Sequence, residues 1–432
     1  MTGSPNSRRT RRAATVAAAA ALLSSMLVFN GAAQAVPNKG LNGLIACGGT
    51  LPTGTPGVND FEIYVMNPDG SNRTNITDEN PITDYNPLWT ADGTKIIYEA
   101  ESVGQAVDDT FELWTMNPDG SGKAILYANG KPEDIPRGVH PDGSQIVVQS
   151  NETGNNEIFK LNADGTGKVN ITNSPASDAW PRWSADGTRI FFHSNRAGNF
   201  DIWSMDPFGG NLVNLTAGSA LSDNTVEVSP DGKKLAFTRQ FPAGNSEIFT
   251  MNVDGTNQVN ISNFPTYDSI VTWSPDGTTL IWTSTRTGDF EVWSAPATGG
   301  PATRLTNAPG FDGRCDWQRL CTINGSGLIE GTEGDDVICG GPGDDRISGL
   351  GGNDILLGFG GNDQLFGGPG DDTLFGGIGD DSLVGSTGDD FSSAGPGDDR
   401  ISAETGERVD VGAGQADRCV IGGRPGCPPR LS

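Results

Sequence analysis

Residues 340–375 read GGPGDDRIS GLGGNDILL GFGGNDQLF GGPGDDTLF, four consecutive nonapeptides of one pattern. Each has an aspartate at its sixth position, with a glycine two residues earlier and an apolar residue two residues later. The pattern continues in both directions, and its aspartates are Asp336, Asp345, Asp354, Asp363, Asp372, Asp381, Asp390 and Asp399. The matching glycines are Gly334, Gly343, Gly352, Gly361, Gly370, Gly379, Gly388 and Gly397. This nonapeptide indicates a parallel β-structure that binds calcium.

The chemistry of the three columns supports this interpretation. Glycine allows tight turns that bring carbonyl oxygens inward, and Ca²⁺ takes six to eight oxygen ligands. The aspartates, with the backbone of the glycines, are therefore predicted to hold several calcium ions. Residues 321–432 contain 20 acidic residues against six arginines and no lysine, so they would repel one another without a cation. The alternative, a disordered acidic tail, does not require the columns to stay in phase over eight repeats.

The apolar column fills the core of the predicted structure. It consists of Ile338, Ile347, Leu356, Leu365, Leu374, Leu383 and Ile401, with Ser392 as its exception. Over residues 328–402 the repeats resemble the RTX (haemolysin-type) calcium-binding repeats, which implies a parallel β-roll with calcium between successive turns. Arg408 stands where the next aspartate is expected. We therefore assign residues 321–403 to the roll and residues 404–432 to a C-terminal cap.

A second, longer period of 44 to 50 residues covers residues 40–318. Its anchors are short tracts that end in Asp-Gly and begin at Trp89, Val139, Trp183, Val228 and Trp273, and Trp317 is a sixth anchor without the turn. A second tract, Met66-Asn-Pro-Asp69-Gly70, recurs half a period away. Asp-Gly between β-rich runs predicts hairpins, and four strands per period predict a propeller. The predicted fold is all-β, with a six-bladed β-propeller over residues 36–320 and the roll after it.

The ends of the propeller must pair to close the ring. The chain enters at the second strand of a blade, Leu44–Cys47, and leaves after a first strand, Arg314–Trp317. The regular hairpins place Cys47 opposite Cys315, which predicts a disulfide that the chain-entropy treatment values at about 4–5 kcal/mol. The other cysteines suggest the pairs Cys321–Cys339 and Cys419–Cys427.

The tracts Pro181-Arg-Trp183-Ser-Ala-Asp186-Gly187 and Trp273-Ser-Pro-Asp276-Gly277 resemble those of TolB-like (PD40) propellers. The resemblance covers the whole domain and implies its fold. It also implies a protein or cell-envelope ligand, because TolB-like domains act mostly as interaction platforms in the envelope. Related propellers accompany peptidases and lyases.

One aspartate precedes each anchor by five residues, and the six are predicted to form a ring near one mouth of the channel: Asp84, Asp134, Asp178, Asp223, Asp268 and Asp312. Such a ring would hold a cation or a basic group of a partner, or each aspartate caps a turn or bonds a neighbouring blade. A second acidic column comprises Glu62, Glu112, Glu157, Asp201, Glu247 and Glu291. We expect Arg196, Arg239 and Arg286 to pair with members of that second column.

Catalytic motifs are lacking in the sequence. The two histidines, His140 and His193, lie at unrelated places in the repeat, and there is no G-x-S-x-G, H-E-x-x-H or Cys–His signature. The protein is therefore predicted not to be an enzyme. The alternatives are a glycan-binding protein or a polysaccharide lyase or hydrolase that uses channel carboxylates. Aromatic residues near the channel mouth, Tyr85, Trp180 and Phe311, would either bind a ligand or pack between blades.

The N-terminus predicts export. Four arginines precede an apolar stretch, Ala13 to Phe29, and an A-x-A site that ends at Ala35, so residues 1–35 are a predicted signal peptide. The chain has a net charge of −26, and removal of those arginines lowers it to −30. This charge argues against nucleic acid and anionic membranes as partners. No later segment predicts a membrane span. The predicted location is extracellular or cell-wall associated.

Overall fold

The computed structural model describes residues 42–52, 59–77, 83–101, 111–128, 134–230, 232–242, 244–321, 323–341, 343–403, 408–410, 418–421 and 424–425. The predicted signal peptide and Cys427 lie outside these ranges. All regular secondary structure within them is β-strand, so the described part of the chain has no helix that could cross a membrane.

Six four-stranded antiparallel sheets form the blades of a propeller. Five are built from consecutive strands: β4–β7 (Asp84–Trp89, Ile96–Glu101, Phe111–Met116, Ala124–Tyr127), β8–β11 (Asp134–Val139, Gln145–Ser150, Glu157–Asn162, Val169–Asn170), β12–β15 (Asp178–Trp183, Ile190–Ser194, Asp201–Met205, Val213–Asn214), β16–β19 (Asp223–Val228, Lys234–Gln240, Ser246–Asn252, Val259–Asn260) and β20–β23 (Asp268–Trp273, Thr279–Ser284, Glu291–Pro296, Thr303–Arg304). The anchor tracts end the first strand of each blade, as the sequence predicts.

The remaining blade joins the two ends of the propeller. Strands β1 (Asn42–Pro52), β2 (Asn59–Met66) and β3 (Thr74–Asn75) are completed by β24 (Asp312–Arg319), which pairs antiparallel with β1. Cys47 and Cys315 are disulfide-bonded across this pair, 268 residues apart in sequence. The closing strand and the disulfide thus lie where the repeat register predicts them.

Apolar side chains from adjacent blades pack into shared clusters, which explains why the blades need one another. One cluster combines Ala236 and Ile248 of one blade with Trp273, Leu280 and Trp282 of the next. The innermost strand of each blade is interrupted by a β-bulge. The sequence did not predict this bulge, because the tract before each anchor has the composition of an ordinary strand.

The C-terminal repeats form two parallel sheets that alternate along the chain. One contains β25 (Ile323–Asn324), β27 (Val337–Cys339), β29 (Ile355–Gly360), β31 (Thr373–Ile378), β33 (Phe391–Ser393) and β35 (Arg408–Asp410). The other contains β26 (Leu328–Glu330), β28 (Arg346–Ser348), β30 (Gln364–Pro369), β32 (Ser382–Thr387), β34 (Arg400–Ala403), β36 (Arg418–Ile421) and an antiparallel β37 (Arg424–Pro425). Strands therefore continue past residue 403.

The predicted apolar column is the core between the two sheets. Ile338, Ile347, Leu356, Leu365, Leu374 and Leu383 are fully buried there. At the exception, Ser392 is also buried, and Ala394 joins the core beside it. Cys321 and Cys339 are disulfide-bonded at the start of the roll. Cys419 is also disulfide-bonded, and Cys427, its predicted partner, lies outside the described residues.

The roll rests against the propeller, a contact that the sequence did not indicate. The outer face of the first sheet carries a second apolar cluster that includes Leu357, Phe375 and Phe391. Phe359 of the same face lies against Gly143 in a hairpin turn of the propeller. Arg408 forms an ion pair with Asp186, in the corresponding turn of the next blade.

Candidate calcium sites and propeller carboxylates

The eight aspartates of the nonapeptides are buried in two stacked columns, one along each edge of the roll. Within a column, one carboxylate oxygen of each aspartate from Asp354 onwards accepts a hydrogen bond from the backbone N–H of the aspartate 18 residues earlier. Six such bonds of 2.8–2.9 Å occur, from Asp336 to Asp354, Asp345 to Asp363, Asp354 to Asp372, Asp363 to Asp381, Asp372 to Asp390 and Asp381 to Asp399. The stack spaces the carboxylates by one strand separation, about 4.8 Å.

The second oxygen of the central aspartates is unmatched. Oδ2 of Asp354, Asp363, Asp372 and Asp381 is buried and accepts no hydrogen bond from any described residue. Burial, together with repulsion from the stacked aspartates, raises the pKa of these carboxyls to about 6, 6, 7 and 8 in that order. A buried carboxylate with one unsatisfied oxygen is unfavourable unless a cation supplies the missing partner.

Each unmatched oxygen faces a backbone carbonyl. Next to Gly349 lie both Oδ2 of Asp354 and the carbonyl oxygen of Gly367, so close that a Cβ at Gly349 would overlap them. The same arrangement recurs with the glycines nine and 18 residues further on. Carboxylate and carbonyl oxygens brought together in this way match the ligands of Ca²⁺. The residues present therefore fit a calcium ion.

Most oxygen ligands for calcium would have to come from backbone carbonyl groups. Among the described residues, no group of three or more His, Cys, Asp or Glu side chains is arranged to hold a metal ion. Calcium between the loops would thus take most of its oxygens from carbonyl groups, as the glycine content predicts. The glycines nearest to Oδ2 are the first of each nonapeptide. Of the glycines singled out from the sequence, five have positive φ and pack closely on the loop 18 residues earlier: Gly352, Gly361, Gly370, Gly379 and Gly388.

The first aspartate of each column differs from the rest. Oδ2 of Asp336 accepts hydrogen bonds from the N–H and hydroxyl of Thr332, at 2.7 and 2.8 Å. Oδ2 of Asp345 accepts one from the N–H of Gly341, at 2.7 Å. These two carboxylates therefore have less need of a cation than the four that follow.

A second ladder runs along the exposed rim of the roll and was missed in the sequence. It consists of the residue before each inner aspartate: Asp335, Asp344, Asn353, Asn362, Asp371, Asp380, Asp389 and Asp398. Asn353, for example, donates its N–H to Oδ1 of Asp335 at 2.8 Å, and its own Oδ1 accepts from Asp371. The signal was visible as a column of only Asp or Asn, whose side chains readily bond to backbone N–H groups.

The six aspartates of the predicted propeller ring are all buried at the start of the innermost strands. Five are ion-paired with a cation of their own blade, at distances of 2.5–2.8 Å: Arg73–Asp312, Lys168–Asp134, Arg196–Asp178, Arg239–Asp223 and Arg286–Asp268. The side chains of Asp178, Asp223 and Asp268 have no exposed surface. This arrangement favours a structural role for the ring.

The expected pairing of Arg196, Arg239 and Arg286 with the second acidic column was wrong. The second strand of a blade lies between the two acidic columns, so the strand register alone does not determine with which column these arginines pair. Members of the second column already have partners just after the fourth strand: Glu62 and Glu291 accept hydrogen bonds from the hydroxyls of Thr77 and Thr306 at 2.6 Å. The arginines are therefore left to the first column.

The two histidines contact different partners in different blades. His140 forms an ion pair with Asp142, with 2.6 Å between Nδ1 and Oδ1. Nδ1 of His193 accepts a hydrogen bond from the backbone N–H of Thr225 at 3.1 Å, and burial lowers the pKa of His193 to about 3. Neither arrangement resembles a metal site or a nucleophile with its base.

Aromatic rings form a continuous row on the propeller. Tyr267, Phe290, Phe311, Phe61, Tyr85 and Phe111 follow one another with ring centroids 4.6–5.9 Å apart. The row includes two of the aromatic residues expected at the channel mouth. The third, Trp180, is instead covered by the guanidinium of Arg137, 3.6 Å from its ring centroid.

Comparison with known proteins identifies both parts of the chain. The family described as TolB beta propeller domain (PD40) matches residues 136–243 and 226–330. The family described as RTX calcium-binding nonapeptide repeat (4 copies) matches residues 323–356, 357–392 and 384–407. The chain is also 40% identical over 80 residues to Tricorn protease homolog 1 of Streptomyces coelicolor, a match that covers 18% of this chain and 7% of that protein.

Among solved structures, TolB from Acinetobacter baumannii is similar with a TM-score of 0.55 and 18% identity, over 73% of this chain and 74% of that one. A putative TolB from Agrobacterium tumefaciens covers 63% of this chain and 91% of its own, with a TM-score of 0.46 and 21% identity. At such identities the likeness concerns the fold alone. The chain thus carries a TolB-type (PD40) β-propeller domain followed by RTX calcium-binding nonapeptide repeats.

Proposed function

We propose that this is a secreted calcium-binding protein in which the propeller binds a protein or another component of the cell envelope, and the roll folds on calcium outside the cell. The observation that carries the calcium part is the set of buried, unmatched Oδ2 atoms of Asp354, Asp363, Asp372 and Asp381. The Asp columns and the carbonyls beside them would hold the ions. Calcium supplies the positive charge that offsets these stacked carboxylates.

The stacking of the loops sets the expected number of ions. Six pairs of inner aspartates stand 18 residues apart, three along each edge of the roll. One ion between the loops of each pair gives an upper limit of six. Equilibrium dialysis with radioactive calcium would measure this number.

The variant Asp372→Asn tests the site assignment. Because Asp372 bonds to loops on both sides, the change should remove or weaken two ions. Asp371→Asn is the matched control, since its exposed side chain accepts one N–H bond that an asparagine also accepts. Equal calcium content in wild type and Asp372→Asn would contradict the assignment.

Export is supported by the chemistry of the cysteines. The described disulfides close the propeller and begin the roll, and such bonds persist in oxidising compartments. The predicted signal peptide over residues 1–35 supplies the route of export. The proposed domain boundaries lie near residue 320, where the propeller repeats give way to nonapeptides, and near residue 403, where the nonapeptides end. Fractionation of cells that express the full chain, with N-terminal sequencing of the exported form, tests this: a start at Val36 is expected.

For the propeller we propose the aromatic row as the contact surface. Tyr267 and Phe290 are 40% and 37% exposed, and the row continues over three adjacent blades. Contiguous aromatic surface with polar surroundings is typical of protein contact sites. The aspartate ring is a poorer candidate because its carboxylates are buried and five of them are already paired. For the same reason we favour binding over catalysis.

The propeller's partner can be identified with the immobilised mature chain and a cell-envelope extract. Recovery of a discrete protein by the wild type, and its loss with the double variant Tyr267→Ala/Phe290→Ala, is the expected result. Phe208→Ala is the control, because Phe208 is 69% exposed and outside the row. Repetition in chelator shows whether the folded roll takes part. Recovery of the same protein by the double variant would refute the surface assignment.

A glycan-binding role is the second candidate, and the aromatic row is the observation that favours it. Aromatic faces offer large rigid surfaces to sugar rings as well as to proteins. Recovery of polysaccharide in the same experiment, sensitive to the same double variant, would establish this function in place of protein binding.

A further inference from the structure

The channel of the propeller contains a cavity of about 180 Å³ at the ends of its innermost strands. It is lined by Trp89, Trp183, Arg182, Glu227, Asp316 and Arg319, among others. Arg137 also lines it. The charged side chains of the wall thus include three arginines and two carboxylates, a net positive lining in a chain whose overall charge is −26.

The carboxylates of the cavity already have partners. Glu227 forms an ion pair with Nε of Arg182. Oδ2 of Asp316 accepts a hydrogen bond from the backbone N–H of Trp89, at 2.7 Å. Neither carboxylate has an unmatched buried oxygen, so the cavity does not call for a cation.

Three of the residues that line the cavity carry unmatched hydrogen-bond donors. Trp89 and Trp183 are 4% and 6% exposed, and the Nε1–H of each makes no hydrogen bond to any described residue. Among the described residues, the guanidinium of Arg319 makes no hydrogen bond, and Asp316 is a carboxylate close enough to act on its charge. Indole and guanidinium nitrogens can donate but never accept. A molecule that completes this site must therefore bring acceptor oxygens.

The volume of the cavity limits the size of the ligand that it can hold. Its volume equals that of about six molecules of liquid water, below the roughly 300–1,000 Å³ of sites for drug-sized ligands. A guanidinium binds planar or tetrahedral oxyanions with paired N–H···O bonds, and burial strengthens such contacts. A single anionic group satisfies the size, the charge and the unmatched donors together.

We propose that this cavity binds one anionic group rich in acceptor oxygens, a carboxylate or an inorganic oxyanion, held by Arg319 and the indole N–H groups of Trp89 and Trp183. The carboxylate comes either from a small free acid or from the C-terminus of a peptide that enters the channel. This site is distinct from the calcium columns and from the aromatic row.

The test is calorimetric titration of the full mature chain in millimolar calcium, at constant ionic strength. The probes are sodium sulfate, sodium acetate, a short peptide with a free C-terminal carboxylate and the same peptide amidated. One equivalent of bound anion is expected. Binding of the free peptide without the amidated one assigns the site to a chain terminus, and binding of sulfate or acetate assigns it to small anions. No saturable binding of any probe would overturn the proposal.

Two variants locate the binding. Trp183→Phe removes one donor and keeps the ring, so affinity should fall several-fold while the fold is retained. Trp114→Phe is its matched control, because Trp114 also has a buried, unmatched Nε1–H but lies outside the cavity. Arg319→Gln should weaken binding about tenfold or more, since a charge-assisted hydrogen bond is lost, whereas the exposed Lys234→Gln should not. Equal affinities in Trp183→Phe, Arg319→Gln and wild type would also overturn the proposal.

Discussion

The propeller and the roll both bury one aspartate in every repeat, and they compensate its charge in different ways. In the propeller, five ring aspartates are paired with a lysine or arginine of the same blade. In the roll, each of the central four inner aspartates accepts a backbone N–H bond on one oxygen and leaves the other unmatched. Residues 321–432 hold only six arginines and no lysine. Most propeller repeats thus supply their own cation, whereas the partner that we propose for the roll carboxylates is a metal ion.

Removal of calcium should have the largest effect, and it should unfold the roll without unfolding the propeller. In chelator, the roll should lose its β-structure because its carboxylates repel one another, and the propeller should keep its fold. All nine tryptophans lie between Trp89 and Trp317, so their fluorescence reports the propeller alone. We expect a loss of far-ultraviolet circular dichroism with little change in tryptophan emission, reversed at millimolar calcium. An unchanged circular dichroism spectrum would refute the calcium dependence of the roll.

Protonation of the buried aspartates at low pH should partly restore the fold of the roll in the absence of calcium. In the folded roll, burial raises the pKa of four carboxyls to about 6–8: those of Asp354, Asp363, Asp372 and Asp381. In an unfolded chain the pKa of an aspartate is about 3.9. Between those values the folded state binds more protons, so its stability rises as pH falls from about 8 to about 4. Far-ultraviolet circular dichroism in chelator should therefore recover on acidification. A further loss of signal over that range would contradict the stacked carboxylates.

Disruption of one propeller ion pair should be costly and independent of calcium. Asp268→Asn leaves Arg286, whose side chain is 8% exposed, without its carboxylate, and should lower the free energy of unfolding by about 3–5 kcal/mol. Denaturant unfolding followed by tryptophan fluorescence would measure this. Asp254→Asn, in an exposed turn, is the control and should have almost no effect. Equal losses in both variants would mean that the buried pair has no special role.

Opening the propeller ring should have a similar or smaller effect. The double variant Cys47→Ala/Cys315→Ala removes the covalent closure between β1 and β24 and should cost about 2–5 kcal/mol. The same fluorescence measurement applies, and reduction of the wild type should reproduce the variant. A variant as stable as the wild type would show that strand pairing and packing alone close the ring.

The ion pair between the roll and the propeller should contribute least. Arg408 is 64% exposed in its contact with Asp186, and exposed pairs contribute about 0–1 kcal/mol. Arg408→Gln should therefore leave the calcium midpoint and the unfolding midpoint of the propeller nearly unchanged. Phe359→Ser, which alters the apolar contact beside Gly143, should have the larger effect on both. The reverse order would assign the contact to charge instead of apolar packing.

The fold was largely predictable because both parts are repeats. The anchor tracts locate the strands of each blade, and the unusual entry at a second strand requires β24 to close the ring. The nine-residue period likewise places the apolar side chains of the roll in one column. Repetition averages over local irregularities, so single departures such as Ser392 do not obscure the pattern.

The sites were less predictable. The sequence indicated the inner aspartates but not the rim ladder, because that column looks like an ordinary part of a turn. It left the role of the aspartate ring open between ligand binding and structure, because the choice of partner by Arg196, Arg239 and Arg286 depends on residues that follow the fourth strand, such as Thr306. The channel cavity combines residues from different blades, such as Trp89, Trp183 and Asp316, which no local pattern connects.

The amino-acid sequence alone was sufficient to predict the two repeat architectures, the closing disulfide and the aspartate columns of the roll. These properties follow from period and spacing, which are local and repeat along the chain. The folded structure was needed to show which carboxylates are already paired, where the roll contacts the propeller and which residues line the channel cavity. Those properties depend on side chains brought together from distant segments, where burial and competition between partners decide the contacts.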